Sequence, residues 1–278
     1  MNEDVLIIIR HKLGRKRLLT RALKSVSNQT YKNVKVAVLC MDFYKSDLNE
    51  NSYLNICDKN EATLIEEGEF NDFFKSSDAK FVCFLDDDDS WAPEYLSRLI
   101  SLLSITTNKY PSVQAVACHT NKVNEVCEGN RIIINDTQPW NHYLSAGPLE
   151  FDTLQYINSL PLSSCVFLKK GIADIINNHN INSPIFSWPF IIEFLSKHDI
   201  WIVPEALSFY HFREKNDSEF GNFTSLNGEI RDIEYKIKIN SMMRGNSNTS
   251  LLNALLGTLL NKTTFHRISS IERNTGRN

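Results

Sequence analysis

The most constraining segment of this chain is an uninterrupted apolar run that ends in four consecutive aspartates. Phe81–Leu85 forms the run and Asp86–Asp89 follow it directly, with Trp91 and Pro93 close behind. A short apolar run of this kind predicts a strand that is buried on both faces, as in a parallel sheet. Because open α/β sheets hold their ligands at the carboxyl ends of the strands, we expect the aspartates to lie in a ligand crevice.

Four like charges in a row repel one another, so their placement needs a physical reason. A divalent cation would relieve the repulsion, and carboxylate oxygens are ligands that suit Mg²⁺ and Mn²⁺. The simpler alternative is that Asp89 or Ser90 caps a helix that begins near Pro93. Capping explains one aspartate and leaves the other three unexplained. The sequence therefore favours a metal or phosphate role for this segment.

Strand and helix patterns alternate along the first half of the chain. Val5–Ile9 and Val34–Leu39 predict buried strands, and apolar residues at helical spacing from Leu18 to Val26 predict a helix between them. This opening is typical of a doubly wound, mostly parallel α/β sheet with helices on both faces. A third strand over 63–65, a short helix around Phe70–Phe74 and a helix over 93–105 complete the expected first half.

After Pro111 the pattern changes to short strands, which predicts a small antiparallel addition. The expected strands cover 113–118, 123–127, 131–134, 164–168, 200–203 and 207–212, and a helix covers 185–197. The strands on either side of Glu128-Gly129-Asn130 form a hairpin pattern. We expect one domain over 1–215, made of two halves (1–110 and 111–215), and a C-terminal helical extension over 216–278.

The predicted extension contains an apolar helix that needs a covering surface. Leucines recur at helical spacing from Leu251 to Leu260. They would pack on the predicted helix Gly228–Met243, on a second copy in a homodimer, or against a membrane surface. The basic residues Lys262, His266 and Arg267 are compatible with peripheral membrane contact.

Charge and cysteine content limit the function classes. A net charge of −3 with scattered basic residues, apart from a cluster over Lys12–Arg17, argues against a nucleic-acid partner. The six cysteines include no C-x-x-C pair, so we expect reduced core residues. The amino terminus lacks a signal-peptide pattern and the apolar runs are too short to span a membrane. These features predict a cytoplasmic protein, with the inner face of the membrane as an alternative location.

Four segments, in order, resemble the family 2 glycosyltransferases, which have the GT-A fold. Residues 21–31 (RALKSVSNQTY) are similar to the family's "RAL-SV-NQTY" segment, and 84–93 (FLDDDDSWAP) to its "FLD-DD-W-P" motif. Residues 162–167 resemble the segment after the family's hairpin insertion, and 201–210 resemble its "I-PE-L--YR" close. The resemblance spans about residues 4 to 213 and implies the GT-A fold, in which 1–110 would be the nucleotide-binding half and 111–215 the acceptor half.

The resemblance also implies a chemistry and a set of site residues. The donor would be a nucleoside diphosphate sugar, the acceptor a glycan or lipid-linked glycan, and the product plausibly a surface polysaccharide. A divalent ion, Mn²⁺ or Mg²⁺, would neutralise the departing diphosphate. The implied metal ligands are Asp86, Asp88 and His211. The implied nucleotide-sugar contacts are Arg10, His11, Asp42, Asn71, Asp86 and Asp87.

The resemblance fails at the catalytic base, where the family has a Glu-Asp pair that takes a proton from the acceptor during an inverting attack. Aligning Trp188 with the family's late helix puts Phe186 and Ser187 at those positions. Serine at neutral pH cannot replace a carboxylate as base. Glu193 is the nearest carboxylate on that helix and is the expected catalytic residue, although it lies nearly two turns beyond Ser187.

The missing acidic pair leaves two main hypotheses. The first is an active, metal-dependent, inverting glycosyltransferase of the hexosyltransferase type. The second is a degenerate member of the same fold that binds a nucleotide sugar or a glycan without transferring it. A nucleotidyltransferase also uses acidic residues and metal on an α/β sheet, but it would normally carry a Gly-rich loop, for which Gly14 alone is a poor substitute.

Overall fold

The computed structural model of the chain describes residues 4–41, 51–128, 131–150, 153–156, 158–181, 183 and 186–213. Asp42, the predicted C-terminal helices and the dimer or membrane contact proposed for them lie outside these residues. The strands are β1 Val5–Lys12, β2 Val34–Met41, β3 Ala62–Glu66, β4 Phe81–Asp86, β5 Ser90–Trp91, β6 Val113–Glu128, β7 Arg131–Pro139, β8 Gly147–Pro148, β9 Cys165–Leu168 and β10 Asp199–Arg213. The helices are α1 Lys16–Ser27, α2 Asn51–Lys59, α3 Phe70–Ser76, α4 Tyr95–Lys109, α5 Thr153–Tyr156, α6 Lys169–Ile176 and α7 Ser187–Leu195.

The strands form one sheet in the order β3-β2-β1-β4-β9-β6-β10-β5, with β7 paired to β6 and β8 to β10. Strands β3, β2, β1 and β4 are parallel, as are β6 and β10. Strand β9 is antiparallel to both of its neighbours, β4 and β6. The predicted fold class, a mostly parallel α/β sheet with an antiparallel addition, is confirmed.

Helices pack on both faces because the residues of a buried strand point alternately to either side. Ile7 and Cys83 share a core cluster with residues of α1, α2 and α4. On the other face, the Phe84 ring contacts the rings of Phe186 and Phe190, at or within α7, at 5.8 Å between centroids. Burial on both sides explains why these strands are continuous apolar runs.

The first strand is longer than its apolar run. The sequence predicts a loop from Arg10 onward, whereas β1 stays paired with β2 up to Lys12 opposite Met41. The loop prediction was wrong. Arg10 and His11 are buried and pair with Asp86 and Asp87 at the end of the neighbouring strand β4, so these two polar residues can extend β1.

Strands β6 and β10 are each one element where the sequence predicts two. The predicted break in β6 falls at polar residues that are buried in hydrogen bonds, such as Thr120 Oγ1 with Ser208 Oγ at 2.6 Å. The predicted break in β10 falls at Pro204, where the register with β6 shifts between Val203 and Ala206. Proline is tolerated in strands at such irregularities. The predicted hairpin is confirmed as the antiparallel pair β6–β7.

All six cysteines are free thiols, as expected, and five of them are buried. Among the described residues, no helix combines the length and the apolar character that a membrane crossing requires.

Candidate active site

The aspartates follow the carboxyl end of β4, which lies between the parallel strand β1 and the antiparallel strand β9. The β1–β4 register places Arg10 opposite Asp86. The main-chain N–H of Asp87 then donates to the carbonyl of Arg10 at 3.1 Å. The aspartates therefore lie at the carboxyl edge of the sheet, beside the end of β1.

Asp86 is the most accessible of the four aspartates, with 40% of its side chain exposed. Its Oδ1 accepts a hydrogen bond from Nε of Arg10 at 2.7 Å and lies 2.5 Å from Nη2 of the same guanidinium. That guanidinium lies over the ring of Phe186, 5.5 Å from its centroid. The start of α7, where the resemblance places the missing acidic pair, is thus beside the site.

Asp87 is buried and collects three donors. Its Oδ2 accepts from Nδ1 of His11 at 2.8 Å and from the main-chain N–H of Lys12 at 3.1 Å. Its Oδ1 lies 2.8 Å from Nη1 of Arg15. The His11 ring is fully buried, and its Nε2 has no hydrogen-bond partner in the described part of the chain.

Asp88 is held between two guanidinium groups. Its Oδ2 accepts from Nη2 of Arg15 at 2.7 Å and from Nη2 of Arg213 at 2.6 Å. Arg21 donates to its main-chain carbonyl at 2.6 Å. Burial alone would raise the pKa of this carboxyl, but the charges of Arg15 and Arg213 outweigh it and lower the pKa to about 2.

Glu125, on β6, is the fifth carboxylate of the site. It pairs with Nη1 of Arg21 at 2.5 Å, with Nη1 of Arg213 at 2.6 Å and with Nδ1 of His211 at 2.6 Å. Burial opposes ionisation here too, yet the His211 hydrogen bond and the Arg21 charge lower the pKa to about 2. The other ring nitrogen of His211 lies 2.8 Å from the Ser90 hydroxyl.

Asp89 differs from its neighbours because its partners are neutral. Its Oδ2 accepts from the Ser163 hydroxyl at 2.8 Å, and its Oδ1 from the main-chain N–H of His211 at 3.3 Å. Burial raises its pKa well above the usual range, and the charges of Asp88 and Asp86 add to the effect. Asp89 therefore binds a proton far more readily than an exposed aspartate does.

We call this set the aspartate–arginine network: Asp86–Asp89, Glu125, Arg10, Arg15, Arg21, Arg213, His11 and His211. It holds five carboxylates and four guanidinium groups. Asp86, Asp87, Asp88 and Glu125 each have a guanidinium partner, whereas the structure shows none for Asp89 among the described residues. Burial lowers the pKa of His211, which favours a neutral ring. Most of the negative charge of this network is thus paired within the chain itself.

Solved structures that are similar to this chain provide the comparison. Two S. aureus TarS structures (residues 1–349), one in complex with UDP-GlcNAc, match with TM-scores of 0.52 and 0.53 at 13% and 14% identity. They cover 76% and 78% of this chain, which spans 60% of theirs. The mannosyltransferase PcManGT from Pyrobaculum calidifontis, in complex with GDP-Man and Mn²⁺, matches with a TM-score of 0.58 at 12% identity, over 89% of this chain and 66% of its own.

This chain has the GT-A fold. The matched neighbours are glycosyltransferases, TarS being GT-A-like, and the expected fold is thereby confirmed. No protein-family model matches the chain, and neither does any curated protein. At these identities the likeness establishes the architecture, and the chemistry has to be argued from the residues.

The three residues expected to bind a metal, Asp86, Asp88 and His211, are bonded to other groups of the chain. Two guanidinium groups share Oδ2 of Asp88, both ring nitrogens of His211 are bonded, and Oδ1 of Asp86 is held by Arg10. Among the residues that the structure describes, no three carboxylate, imidazole or thiolate groups are grouped so as to hold an ion. In this arrangement the residues do not fit a divalent ion, because guanidinium groups already occupy the carboxylates.

Two other expected site residues are not brought into the network. Asn71 is exposed on α3. Glu193 lies on α7, where its carboxylate is bonded to Asn178 and His179 at 2.8 Å and to Lys197 at 3.1 Å. Burial would raise its pKa, but these three hydrogen bonds lower it overall. These three partners of Glu193 all lie outside the segment Asp86–Asp89.

Four side chains of the network were not predicted from the sequence: Arg15, Arg21, Glu125 and Arg213. Arg15 belongs to the basic cluster of 12–17, yet it is only 5% exposed. A detectable signal exists for Glu125, since it alternates with the buried Val123 along β6 and therefore points to the same side.

A cavity of about 620 Å³ lies away from this chemistry. It is lined by Ser77, Asp78, Ala79, Lys80, Ser104, Thr107, Asn108, Leu168, Lys169, Lys170 and Ala173. Lys80 precedes β4, so the cavity is at the amino end of the strand whose carboxyl end carries Asp86. Because ligands of open α/β sheets bind at the carboxyl ends, we assign the candidate active site to the aspartate–arginine network.

Proposed function

We propose that this chain transfers a sugar from a nucleoside diphosphate sugar to a hydroxyl group of a glycan or lipid-linked glycan. The observation that carries the proposal is the position of the half-exposed Asp86 carboxylate at the carboxyl edge of a GT-A sheet, with Arg10 beside it. TarS and PcManGT, which share the fold, are in complexes with UDP-GlcNAc and GDP-Man.

In this proposal the Asp86 carboxylate accepts a hydrogen bond from a hydroxyl group of the nucleoside, and Arg10 binds the diphosphate. Asp86 is 40% exposed, whereas the Arg10 side chain beside it is 8% exposed and would reach the donor at its uncovered edge. His11 and Asp87 are buried, so they would act by fixing the end of β1, where the N–H of Lys12 is already bonded to Asp87. Asp42 and Asn71 stay predicted nucleotide contacts.

The acceptor hydroxyl has to lose a proton as it attacks the anomeric carbon, and attack from the opposite face would invert that carbon. Glu193 stays the predicted base. Its bonds to His179, Asn178 and Lys197 hold it in place and lower its pKa, which makes it a weaker base. Glu193→Gln tests the assignment: a base would lose turnover by about 100-fold or more with little change in donor affinity.

A second candidate function is binding of a nucleotide sugar without transfer. The observation that favours it is the start of α7, where Phe186 packs on Arg10 and Ser187 follows, so no carboxylate stands at the place implied by the resemblance. A chain of this kind would keep the donor site and lack turnover.

One experiment separates the two candidates. Release of nucleoside diphosphate is followed with a panel of UDP- and GDP-sugars, and binding of the same ligands is measured by calorimetry. Turnover that Asp86→Asn abolishes supports the transferase. Binding that Asp86→Asn weakens, without turnover, supports the second candidate. Absence of both binding and turnover rejects the proposed function.

The finer expectations stay predictions. They comprise the hexosyl donor, the surface-polysaccharide product, the location at the cytoplasmic face of a membrane and the homodimer. PcManGT is in complex with Mn²⁺, which motivates the test of an ion. Because Asp86 and Asp88 are arranged for guanidinium partners in this chain, no step of the proposal passes through an ion.

A further inference from the structure

The four aspartates need a counter-charge, and the structure identifies its source. Asp86 faces Arg10, Asp87 faces Arg15, and Asp88 faces both Arg15 and Arg213. Every one of these contacts lies between 2.5 and 2.8 Å, the range of charge-assisted hydrogen bonds. The charges of three of the four aspartates, Asp86, Asp87 and Asp88, are therefore countered by guanidinium groups of the chain itself.

The guanidinium groups come from elements far apart in sequence. Arg15 directly precedes α1, and Arg213 is the last residue of β10, so Asp88 joins the two halves of the sheet. Arg213 is 1% exposed and also bonds Glu125, which fixes both of its terminal nitrogens. Because Arg213 is buried and bonded through both terminal nitrogens, an incoming ion could displace it only at a large free-energy cost.

A divalent ion at Asp88 would have to compete with this arrangement. It would enter beside two guanidinium groups, whose positive charge opposes a second cation. It would also take from Arg15 and Arg213 the carboxylate they share, so that Arg15 would keep only Asp87 and Arg213 only Glu125 as ion-pair partners shown here, and weakening the pairing of buried charges is unfavourable.

We infer that Arg15 and Arg213 take the place that the sequence assigns to a divalent ion. Asp88 is an internal counter-ion, the donor-free protein holds no Mn²⁺ or Mg²⁺ at Asp86–Asp88, and the donor diphosphate binds without a metal. The last statement rests on the proposed function, whereas the first two do not.

The first test is the sign of one substitution, measured in EDTA. If Asp88 is an internal counter-ion, Asp88→Asn leaves two buried guanidinium groups underpaired and lowers the melting temperature by roughly 6–15 °C. If the aspartates merely repel one another until an ion arrives, the same change relieves repulsion and raises the melting temperature. An unchanged or higher value overturns the inference.

Asp89→Asn is the matched control, because it makes the same chemical change one residue away. Within the described residues, Asp89 has no guanidinium partner, and it is bonded to Ser163 and the His211 amide. We expect no loss of thermal stability from Asp89→Asn at neutral pH. If Asp89→Asn lowers the melting temperature as much as Asp88→Asn does, any change in this segment is disruptive. The loss seen with Asp88→Asn would then have another cause, and this outcome counts against the inference.

The second test uses the wild-type protein and the metal alone, so it does not depend on whether a variant folds. Free Mn²⁺ is followed by its electron paramagnetic resonance signal as protein is added, and thermal melting is recorded in EDTA and in Mn²⁺. We expect no saturable binding below about 1 mM, the weak end of metal affinities in proteins, and the same melting temperature in both. One equivalent of tighter binding overturns the inference.

The third test concerns the donor. UDP and GDP are titrated into the wild-type protein in EDTA and in Mn²⁺. We expect the dissociation constants in the two conditions to agree within about threefold. A site in which an ion holds the diphosphate would lose far more affinity when EDTA removes that ion. Binding that requires Mn²⁺ overturns the inference and leaves the proposed function intact. Failure to bind either nucleotide in both conditions rejects the proposed function, while the first two tests still decide the role of Asp88.

Discussion

The two ends of the parallel strands handle charge in different ways. At the carboxyl ends, buried carboxylates are matched by buried guanidinium groups, as in the pair Asp88–Arg213. At the amino end of β4, Lys80, Lys169 and Lys170 line a cavity together with Asp78 and with hydroxyl and amide groups. There, Nζ of Lys169 donates to the main-chain carbonyl of Ser77. The charges at the carboxyl ends are thus bonded to one another, whereas at the amino end the ammonium group of Lys169 bonds a neutral carbonyl.

This difference shows that acidic side chains at the ligand-binding edge of a sheet can stabilise the fold by pairing with arginines, and need not all take part in chemistry. An arginine presents a planar fork that matches a carboxylate, whereas a lysine is a compact and strongly hydrated charge. The use of arginine beside the aspartates and of lysine beside the cavity follows this preference. The predictions below test whether the carboxyl edge depends on charge pairing and the amino edge does not.

The largest effect is expected from Arg213→Met, which removes the charge that both Asp88 and Glu125 face. We expect a loss of about 3–5 kcal/mol in the free energy of unfolding, because one change leaves two buried carboxylates underpaired. Urea denaturation followed by circular dichroism measures it. A loss below about 1 kcal/mol would be typical of surface ion pairs. The contrast between the two edges of the sheet would then disappear.

The wild-type protein should lose stability in acid because of the same pairs. The folded-state pKa of Asp88 and of Glu125 is lowered to about 2. Their contribution is fully present above the ordinary pKa of about 4 and is lost as the pH falls towards 2, on the order of 2 kcal/mol for each group. Denaturation between pH 6 and pH 2 measures the slope, which Arg213→Met should flatten. An equal slope in that variant would contradict this origin of the acid sensitivity.

Asp89→Asn should act in the opposite direction. Because burial and the neighbouring carboxylates raise the pKa of Asp89, its ionisation costs stability once the pH exceeds the ordinary value of about 4. Asparagine removes that cost and can keep contacts with Ser163 and the His211 amide. We expect a gain in the free energy of unfolding at pH 8 and no difference near pH 3. A loss at pH 8 would show that Asp89 is needed as an anion.

The smallest effect is expected at the amino edge, from Lys169→Met. Its ammonium group faces the Ser77 carbonyl and the Phe74 ring, and methionine keeps much of the apolar stem. We expect a change within about 1 kcal/mol, the net value of one hydrogen bond. The surface pair Arg98–Glu205 offers a control through Arg98→Gln, which should leave stability unchanged. A loss at Lys169 comparable to that at Arg213 would erase the distinction between the two edges.

Much of the architecture could be predicted from local patterns. The run Phe81–Leu85 is a strand in the middle of the sheet, and the apolar spacing from Leu18 to Val26 is the buried side of α1. The errors fall where polar residues are buried by distant partners. Arg10 and His11 extend β1 because they bond Asp86 and Asp87, which are 76 residues away.

The sequence by itself determined that four aspartates end a central strand at the edge where α/β sheets bind ligands, because this follows from local order. Only the tertiary structure decided what balances their charge. Arg15 and Arg213 lie 73 and 125 residues from Asp88, and nothing in local spacing pairs them with it. Coulomb interactions depend on distance in space, so the difference between a metal site and an internally paired cluster is set by the fold.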